Sequence, residues 1–223
     1  MQAAESRGQR RRVRRARPST YLYFGLLFAA IVFLSHATLI TMPYFWDECG
    51  YFIPATLDLF QRDAVVPQSV QPAVHPPLVM SWVAGWWSVA GAHEAVTRAA
   101  MLLLASFTLL AVFVLAIELC GSLPGVPALI TTGLLAISPL FYTQALLAQL
   151  DLPATLFTAL SLWLFLRERH AWASLICTLL VLTKETGAVL PVVLLVYLLV
   201  EKRFRLAAWY AAPLLALGGW LLM

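Results

Sequence analysis

The sequence predicts an all-α protein, a polytopic bundle of about seven transmembrane helices. Hydrophobic residues make up 61% of the 223 residues and charged residues only 12%, whereas about a quarter of an ordinary soluble domain is charged. Several apolar runs are long enough to cross a hydrocarbon core of about 30 Å as helices. Helices are expected there because they satisfy their own backbone polar groups where water is absent.

The N-terminus is strongly basic. Seven of the fifteen Lys and Arg residues lie within the first seventeen positions. A basic cluster beside a membrane span more often sets topology or contacts anionic lipid than binds nucleic acid, so membrane lipids are the expected partners and no nucleic acid is expected. We therefore expect residues 1–19 to form a disordered cytoplasmic tail before a single membrane module, 20–223.

The first apolar run, 21–42, is longer than the core of a signal peptide, and no small-x-small cleavage site follows it. It predicts a retained first span with a cytoplasmic N-terminus, in a multi-pass protein of the cell (inner) membrane.

Basic turns at 167–170 and 202–205 are expected on the cytoplasmic side, where positive charge accumulates. Alternating from the N-terminus, we expect spans at 21–41, 99–117, 126–147, 152–166, 171–182, 187–200 and from 206 onward, with a cytoplasmic turn at 118–125. The segment 43–97 then becomes a large first extracytoplasmic loop. This topology places Asp151 and Lys184 on the same outer side as that loop.

The loop is expected to contain interfacial helices. The stretch "HPPL" at 75–78 places two prolines where the first turn of a helix tolerates them, with His75 just outside. The run that follows holds Trp82, Trp86 and Trp87, which suit the headgroup level of a bilayer. His75 is either a site residue or only a capping or interfacial residue.

Lys184 lies between two short apolar runs. Residues 171–200 provide about 45 Å of helix, whereas two full crossings need about 60 Å, so Lys184 is expected in a recess. A lysine inside a membrane costs about 2.5–3.5 kcal/mol and normally faces a partner. That partner is a ligand phosphate or carboxylate, or an internal acidic residue such as Glu185.

The stretch "PYFWDECGYF" at 43–52 places Asp47 and Glu48 among aromatics directly after the first span. They are either site carboxylates or part of a solvated loop with an aromatic belt. Together with Asp151 they could ligate a hard divalent cation through oxygen. The three cysteines show no C-x-x-C spacing, so they indicate neither a metal site nor a disulfide framework. No cofactor other than this divalent cation is expected.

Several of these motifs occur in an order typical of one family. "WDE" at 46–48, "HPPL" at 75–78, "SPLFYTQALLAQLD" at 138–151 and "LTKETG" at 182–187 together resemble the N-terminal module of the GT-C membrane glycosyltransferases. The most similar members are bacterial enzymes resembling protein O-mannosyltransferases and lipid A aminoarabinose transferases. The resemblance covers residues 20–200 and implies that the chain is the N-terminal part of a longer protein.

The resemblance implies a membrane glycosyltransferase. Such an enzyme moves a sugar from a polyprenyl-phosphate donor to a lipid, glycan or protein acceptor on the extracytoplasmic face. Asp47 corresponds to the favoured general base, Glu48 to the second member of the acidic pair, and Asp151 to the acidic residue of the second outer loop. Lys184 corresponds to a lysine that holds the donor phosphate, and His75 occupies a place where some relatives carry Lys.

Glu185 and Arg98, which lie in the same outer segments, complete the expected substrate-binding set. Two other classes of function stay open. A transporter or flippase of lipid-linked sugars would show inverted repeats, and we see no convincing repeat. A non-catalytic membrane scaffold would have little need for acidic and basic residues gathered on one side.

Overall fold

The computed structural model describes residues 18–70, 75–120 and 126–223. Within these ranges every regular element is helical, which confirms the all-α class for the described part of the chain. The basic tail expected before residue 18, and most of the turn expected at 118–125, lie outside the described residues.

The α-helices are α1 (Pro18–Ser35), α2 (Ile53–Arg62), α3 (Leu78–Ala90), α4 (Glu94–Cys120), α5 (Val126–Ala136), α6 (Pro139–Leu146), α7 (Asp151–Leu166), α8 (His170–Thr183), α9 (Val189–Val200), α10 (Phe204–Ala207) and α11 (Ala211–Leu221). Shorter turns join them. A π-helical turn, Glu48–Phe52, runs directly into α2, and a 3₁₀ turn, Glu185–Ala188, runs directly into α9.

Helix α4 is the centre of the bundle. It packs against α1, α5 and α7, and much of its surface is buried. Ala100, Ala105 and Ala111 on α4 are at most 1% exposed. Small residues at such positions let neighbouring helix backbones approach closely, which favours dense packing inside a membrane.

Seven full-length spans are not confirmed. Among the described residues α4, with 27 residues, is long and apolar enough to cross a membrane by itself. Helices α5 and α6 are long and apolar enough only when taken together, as one broken span that bends by 66°. The apolar helices α1, α3, α7, α8 and α9 are shorter.

The bend between α5 and α6 replaces the single span expected at 126–147. Ser138 caps α6, since its Oγ accepts a hydrogen bond from the backbone N–H of Phe141 at 3.1 Å. Pro139 follows at the first helical position, where its missing N–H costs nothing. The Ser-Pro pair is an N-cap signal, which hydropathy alone does not register.

Helix α3 begins at Leu78, next to the two prolines, as "HPPL" predicts. Its tryptophans do not form one interfacial face. The indole N–H of Trp82 donates to the carbonyl of Ala100 at 3.1 Å, and that of Trp87 donates to Oγ1 of Thr97 at 2.8 Å. Both acceptors belong to α4, so these two indoles fasten α3 to the central helix.

The segment after α2 is fastened by one buried carboxylate. Asp58 is 4% exposed and accepts hydrogen bonds from the backbone N–H groups of Gln68 and Ser69, each at 2.7 Å. Arg62 adds an ion pair at 3.1 Å. The Ser69 N–H first, with the Gln68 N–H and the Arg62 charge, lowers the pKa of Asp58 below its usual value.

Candidate active site

Glu48 and Arg98 form a fully buried ion pair. The Arg98 Nη1 lies 2.5 Å from Glu48 Oε1 and Nη2 lies 3.0 Å from Oε2, with both side chains 0% exposed. Such bidentate pairing is the strong and geometrically specific form of the arginine–carboxylate contact.

This pair joins two distant segments of the chain. Arg98 also donates to the backbone carbonyls of Met42, Pro43 and Leu146. The Glu48 Oε1 accepts from the backbone N–H of Ala148 at 2.7 Å. The segment before the π-helical turn is therefore tied to the segment that leads into α7.

Lys184 and Asp151 form a second, more open pair. The Lys184 Nζ lies 2.5 Å from Asp151 Oδ1, with the side chains 28% and 60% exposed. Lys184 is extended, at the break between α8 and the following turn. A Cβ at Gly187 would lie 2.7 Å from Cγ of Leu180, so a glycine is needed where the chain turns back.

A third pair lies beside it. The His75 Nδ1 lies 3.0 Å from Glu185 Oε2, where the ring donates to the carboxylate, and both side chains are about 30% exposed. The ring of His75 stacks on Phe52, with 6.0 Å between centroids, and meets Tyr51 edge-on at 5.8 Å. The histidine thus contacts the π-helical turn that begins at Glu48.

These contacts form a closed ring of segments. Segment 48–52 contacts His75, and His75 pairs with segment 184–185. Segment 184–185 in turn pairs with segment 148–151, and segment 148–151 donates a backbone hydrogen bond to segment 48–52. We call the part of the bundle that carries this contact ring the polar end. All of the residues predicted for the site belong to this ring or are directly next to it in sequence or space.

Asp47 lies beside the ring and differs from the other carboxylates. Its side chain is exposed, and within the described part of the chain it makes no hydrogen bond or ion pair. Trp46, its neighbour, is 84% exposed and has a left-handed backbone, with φ of 53°. Asp47 is therefore a carboxylate that an incoming group can reach directly without breaking an ion pair, unlike the exposed but paired Asp151.

The oxygens of the three acidic residues do not come together as a ligand set. Over residues 18–70, 75–120 and 126–223 there is no group of three His, Cys, Asp or Glu side chains arranged to hold a metal ion. Glu48 is turned inward to Arg98, and Asp151 is turned to Lys184. A divalent cation at this site stays an untested expectation.

An apolar cavity of about 650 Å³ begins near the polar end. Leu78, three residues after His75, and Pro153, two residues after Asp151, line it close to the contact ring. Tyr21 and Trp163 line it near the opposite end of the bundle. Its walls between these ends come mainly from apolar side chains of α4 and α7.

Sequence reasoning missed the tyrosines of the site. The hydroxyl of Tyr51 is buried without a hydrogen-bond partner among the described residues. Burial, with a smaller effect of the Glu185 charge, raises the pKa of Tyr51. Tyr44 lies under Arg98, with 5.2 Å from guanidinium carbon to ring centroid, and its hydroxyl is 2.7 Å from Thr97 Oγ1. Their aromatic character suited an interfacial belt equally well, so no sequence signal separated the two readings.

Comparison with known proteins identifies a family. The model of the family described as dolichyl-phosphate-mannose-protein mannosyltransferase matches residues 74–223, about two thirds of the chain. The match includes His75, Asp151 and Lys184, and it begins after Asp47. Neither a curated protein nor a solved structure matches the chain. The chain therefore belongs to the dolichyl-phosphate-mannose-protein mannosyltransferase family, membrane glycosyltransferases of the GT-C kind.

Proposed function

We propose that the chain transfers a sugar, such as mannose, from a polyprenyl-phosphate donor to an acceptor hydroxyl on the extracytoplasmic face of the membrane. The observation that carries this proposal is the position of the contact ring, with a partly exposed carboxylate and lysine, beside the end of an apolar cavity that Leu78 and Pro153 line. A lipid-linked phosphosugar has a matching order of parts: tail, phosphate and sugar.

The cavity suits the lipid tail. Its volume of about 650 Å³ is within the range of ligand pockets, and it is lined by apolar side chains. A polyprenyl tail that lies along α7 would bury hydrocarbon against Leu156 and Leu160. The phosphate would then lie near Pro153, close to Asp151 and Lys184.

Lys184 suits the donor phosphate. Its ammonium is partly exposed and is held in place by Asp151. When the bond between the sugar C1 and the phosphate oxygen breaks, negative charge grows on that oxygen, and a nearby cation stabilises it most at that moment. His75 lies near the same place through Glu185, and because Nδ1–H of the neutral ring donates to Glu185, its second ring nitrogen is an acceptor that suits a hydroxyl group of the sugar.

Asp47 suits the role of general base. Its exposed carboxylate can accept the proton of the acceptor hydroxyl as the acceptor oxygen bonds to the sugar C1. The products are the glycosylated acceptor and the polyprenyl phosphate. Asp47 needs no other partner in the described residues, so its oxygens stay available for this proton.

We assign Glu48 and Arg98 a positioning role in place of the direct catalytic and substrate-binding roles expected from the sequence. Both are completely buried and bonded to each other and to the backbone. Their contacts fix the segment that carries Asp47 against the segment that leads to Asp151. A group with no exposed atom cannot accept the acceptor's proton without a rearrangement.

The test is a transfer assay on membranes that contain the natural full-length protein. The donor is polyprenyl phosphate carrying tritiated mannose, and the readout is label that moves out of the donor fraction. We expect transfer with the wild-type protein and little with Asp47→Asn at equal protein level. Equal transfer by the two proteins, or none from this donor or from a pentosyl analogue, contradicts the proposal.

A further inference from the structure

Trp46 has an unusual backbone for its residue type. Its φ of 53° lies in the left-handed region, and its side chain is 84% exposed. This conformation costs little for glycine or asparagine but is unfavourable for a bulky residue. Within the described residues the indole makes no hydrogen bond and no aromatic contact, so no contact of the side chain with this part of the chain offsets the unfavourable conformation.

The other left-handed residues have ordinary explanations. Besides Trp46, the described non-glycine residues with positive φ are Asp63, Glu168 and Lys202. Asp63 caps the C-terminus of α2, and Glu168 and Lys202 lie in the turns that follow α7 and α9. All three are polar and end helices, where a left-handed residue is common. Trp46 is the large apolar member of this group and precedes a helical turn instead.

The buried pair explains the backbone conformation at Trp46. It does not explain why the side chain at this position is an indole. The Glu48 backbone N–H donates to the carbonyl of Phe45 at 3.2 Å, and the Gly50 N–H donates to the carbonyl of Trp46 at 2.9 Å. This turn directs Glu48 inward to Arg98. A glycine would form the same turn at lower cost, so the large exposed side chain is explained by a partner outside the chain.

We infer that the indole of Trp46 is a stacking surface for a sugar ring, directly beside the carboxylate of Asp47. This inference rests on the proposed glycosyl transfer and adds a substrate contact to it. The face of an aromatic ring is electron-rich, and the C–H groups on one face of a pyranose are weakly positive, so the two surfaces attract each other. The sugar belongs either to the donor or to a carbohydrate acceptor.

Fluorine NMR of the full-length protein in nanodiscs, labelled with 5-fluorotryptophan, tests the contact without any transfer. The Trp46 resonance is assigned by its loss in Trp46→Phe. We expect it to shift saturably either with methyl α-mannoside, which marks an acceptor-side sugar, or with mannosylated but not bare polyprenyl phosphate, which marks the donor sugar. Trp172 and Trp209, 59% and 50% exposed near the opposite end of the bundle, are internal controls and should not shift.

Lipid that carries a nitroxide in its headgroup region distinguishes a sugar-stacking surface from the alternative, a membrane-interface anchor. If this probe broadens the Trp46 resonance and neither sugar ligand shifts it, Trp46 is a membrane-interface anchor and the inference is wrong. Absence of any shift with all of these ligands also overturns it.

Kinetics with Trp46→Gly and Trp46→Phe give the second readout. Glycine keeps the turn and relieves the backbone, so its thermal unfolding temperature should equal or exceed that of the wild type, while the KM of the sugar substrate rises about tenfold. Phenylalanine keeps an aromatic face and should stay within about threefold of wild type. An unchanged KM for glycine contradicts the inference.

The two proposals can fail separately. If the Trp46 resonance shifts with sugar but transfer does not depend on Asp47, the sugar-binding site is supported and the proposed enzymatic function is wrong. Asp47-dependent transfer with no shift and no KM effect leaves the enzyme and removes the stacking surface.

Discussion

Arg98 binds both oxygens of Glu48 in a pair that has no solvent-exposed atom, and Glu48 in turn accepts the backbone N–H of Ala148, one hundred residues further along the chain. Burying two charges is costly, and the pair is favourable only while both partners and their hydrogen bonds are present. Two distant segments are thus held at a fixed spacing by one contact.

Removing one member of this pair should destabilise the folded protein much more than removing both. Glu48→Gln or Arg98→Met leaves an uncompensated buried charge, so the free energy of unfolding should fall by about 3–5 kcal/mol. The double variant Glu48→Leu with Arg98→Met should recover most of this loss, as measured by thermal unfolding in detergent.

Transfer by the double variant should nevertheless stay low, with kcat reduced more than donor affinity, because the segment carrying Asp47 is no longer tied to Ala148. A double variant that is both stable and fully active would show that the pair has only a structural role.

Replacing the exposed carboxylate should affect chemistry alone. Asp47→Asn should reduce transfer by about 10²- to 10⁴-fold, the usual loss when general-base help is removed, with donor binding kept. The matched control is Asp63→Asn, another exposed aspartate of the same loop, whose left-handed backbone asparagine tolerates. Both variants should unfold at the wild-type temperature; equal activity of the two would exclude Asp47 as the base.

Variants of Lys184 and of Asp151 should have different effects on transfer kinetics although the two residues form one ion pair. Lys184→Ala should raise the donor KM, and it should lower kcat as well if the ammonium stabilises the departing phosphate. Asp151→Asn leaves the cation in place and should change donor KM less. The pair is partly exposed, so neither change should cost more than about 1 kcal/mol of stability. The assignment fails if both variants shift KM and kcat equally.

The stabilising effect of Asp58 on the first loop should depend on pH. Its pKa is lowered in the folded protein, so its stabilising effect is complete above the usual aspartate pKa and is lost as pH falls through the lowered value. Asp58→Asn should reduce the free energy of unfolding by about 1.5–3 kcal/mol at neutral pH.

Thermal unfolding of this variant and of the wild type across pH should show the difference shrinking at acidic pH. Arg62→Gln, which alters the 58% exposed partner, should cost under about 1 kcal/mol. A constant difference down to low pH would contradict the assignment.

Filling the apolar cavity should impair donors with long tails. Leu160→Trp, on the cavity face of α7, should raise KM for a full-length polyprenyl donor about tenfold and leave a short-tailed analogue nearly unaffected. Leu140→Trp is the control, because Leu140 is 72% exposed and does not line the cavity. Equal effects on both donors would place the tail elsewhere.

Helix positions followed well from the sequence where polar residues interrupt apolar runs. The run expected at 152–166 is α7, Asp151–Leu166, and the run expected at 171–182 is α8, His170–Thr183. The charged residues 167–169 mark the boundary between them because they are costly to bury, whereas His170, expected in the same turn, is the buried first residue of α8. The chain breaks between two helices at Lys184, and the lysine pairs with an internal acidic residue, Asp151, which was one of the expected alternatives; the recess stays a prediction.

The buried pair did not follow from the sequence. Glu48 and Arg98 are fifty residues apart, and a charged residue in a predicted loop is normally exposed. The break inside the run expected at 126–147 was also missed, because hydropathy measures how apolar a run is and does not register a cap such as Ser138 inside it. The orientation of the tryptophans on α3 depended on which α4 groups were free to accept a hydrogen bond, and a single sequence does not contain that information.

The short helices that meet at Lys184 have a consequence for the surrounding bilayer. Segments 151–166, 170–183 and 185–200 hold 16, 14 and 16 residues, which at about 1.5 Å per residue reach only roughly 21–24 Å against a hydrocarbon thickness of about 30 Å. If these segments cross the bilayer as expected from the sequence, such hydrophobic mismatch compresses the adjoining acyl chains at a cost of fractions of a kcal/mol per Å. In that arrangement the headgroup plane would dip toward Lys184, and a lipid-borne phosphate would reach the lysine while it stays at the level of its neighbours. Membranes built from shorter acyl chains should then accommodate the protein with least elastic strain.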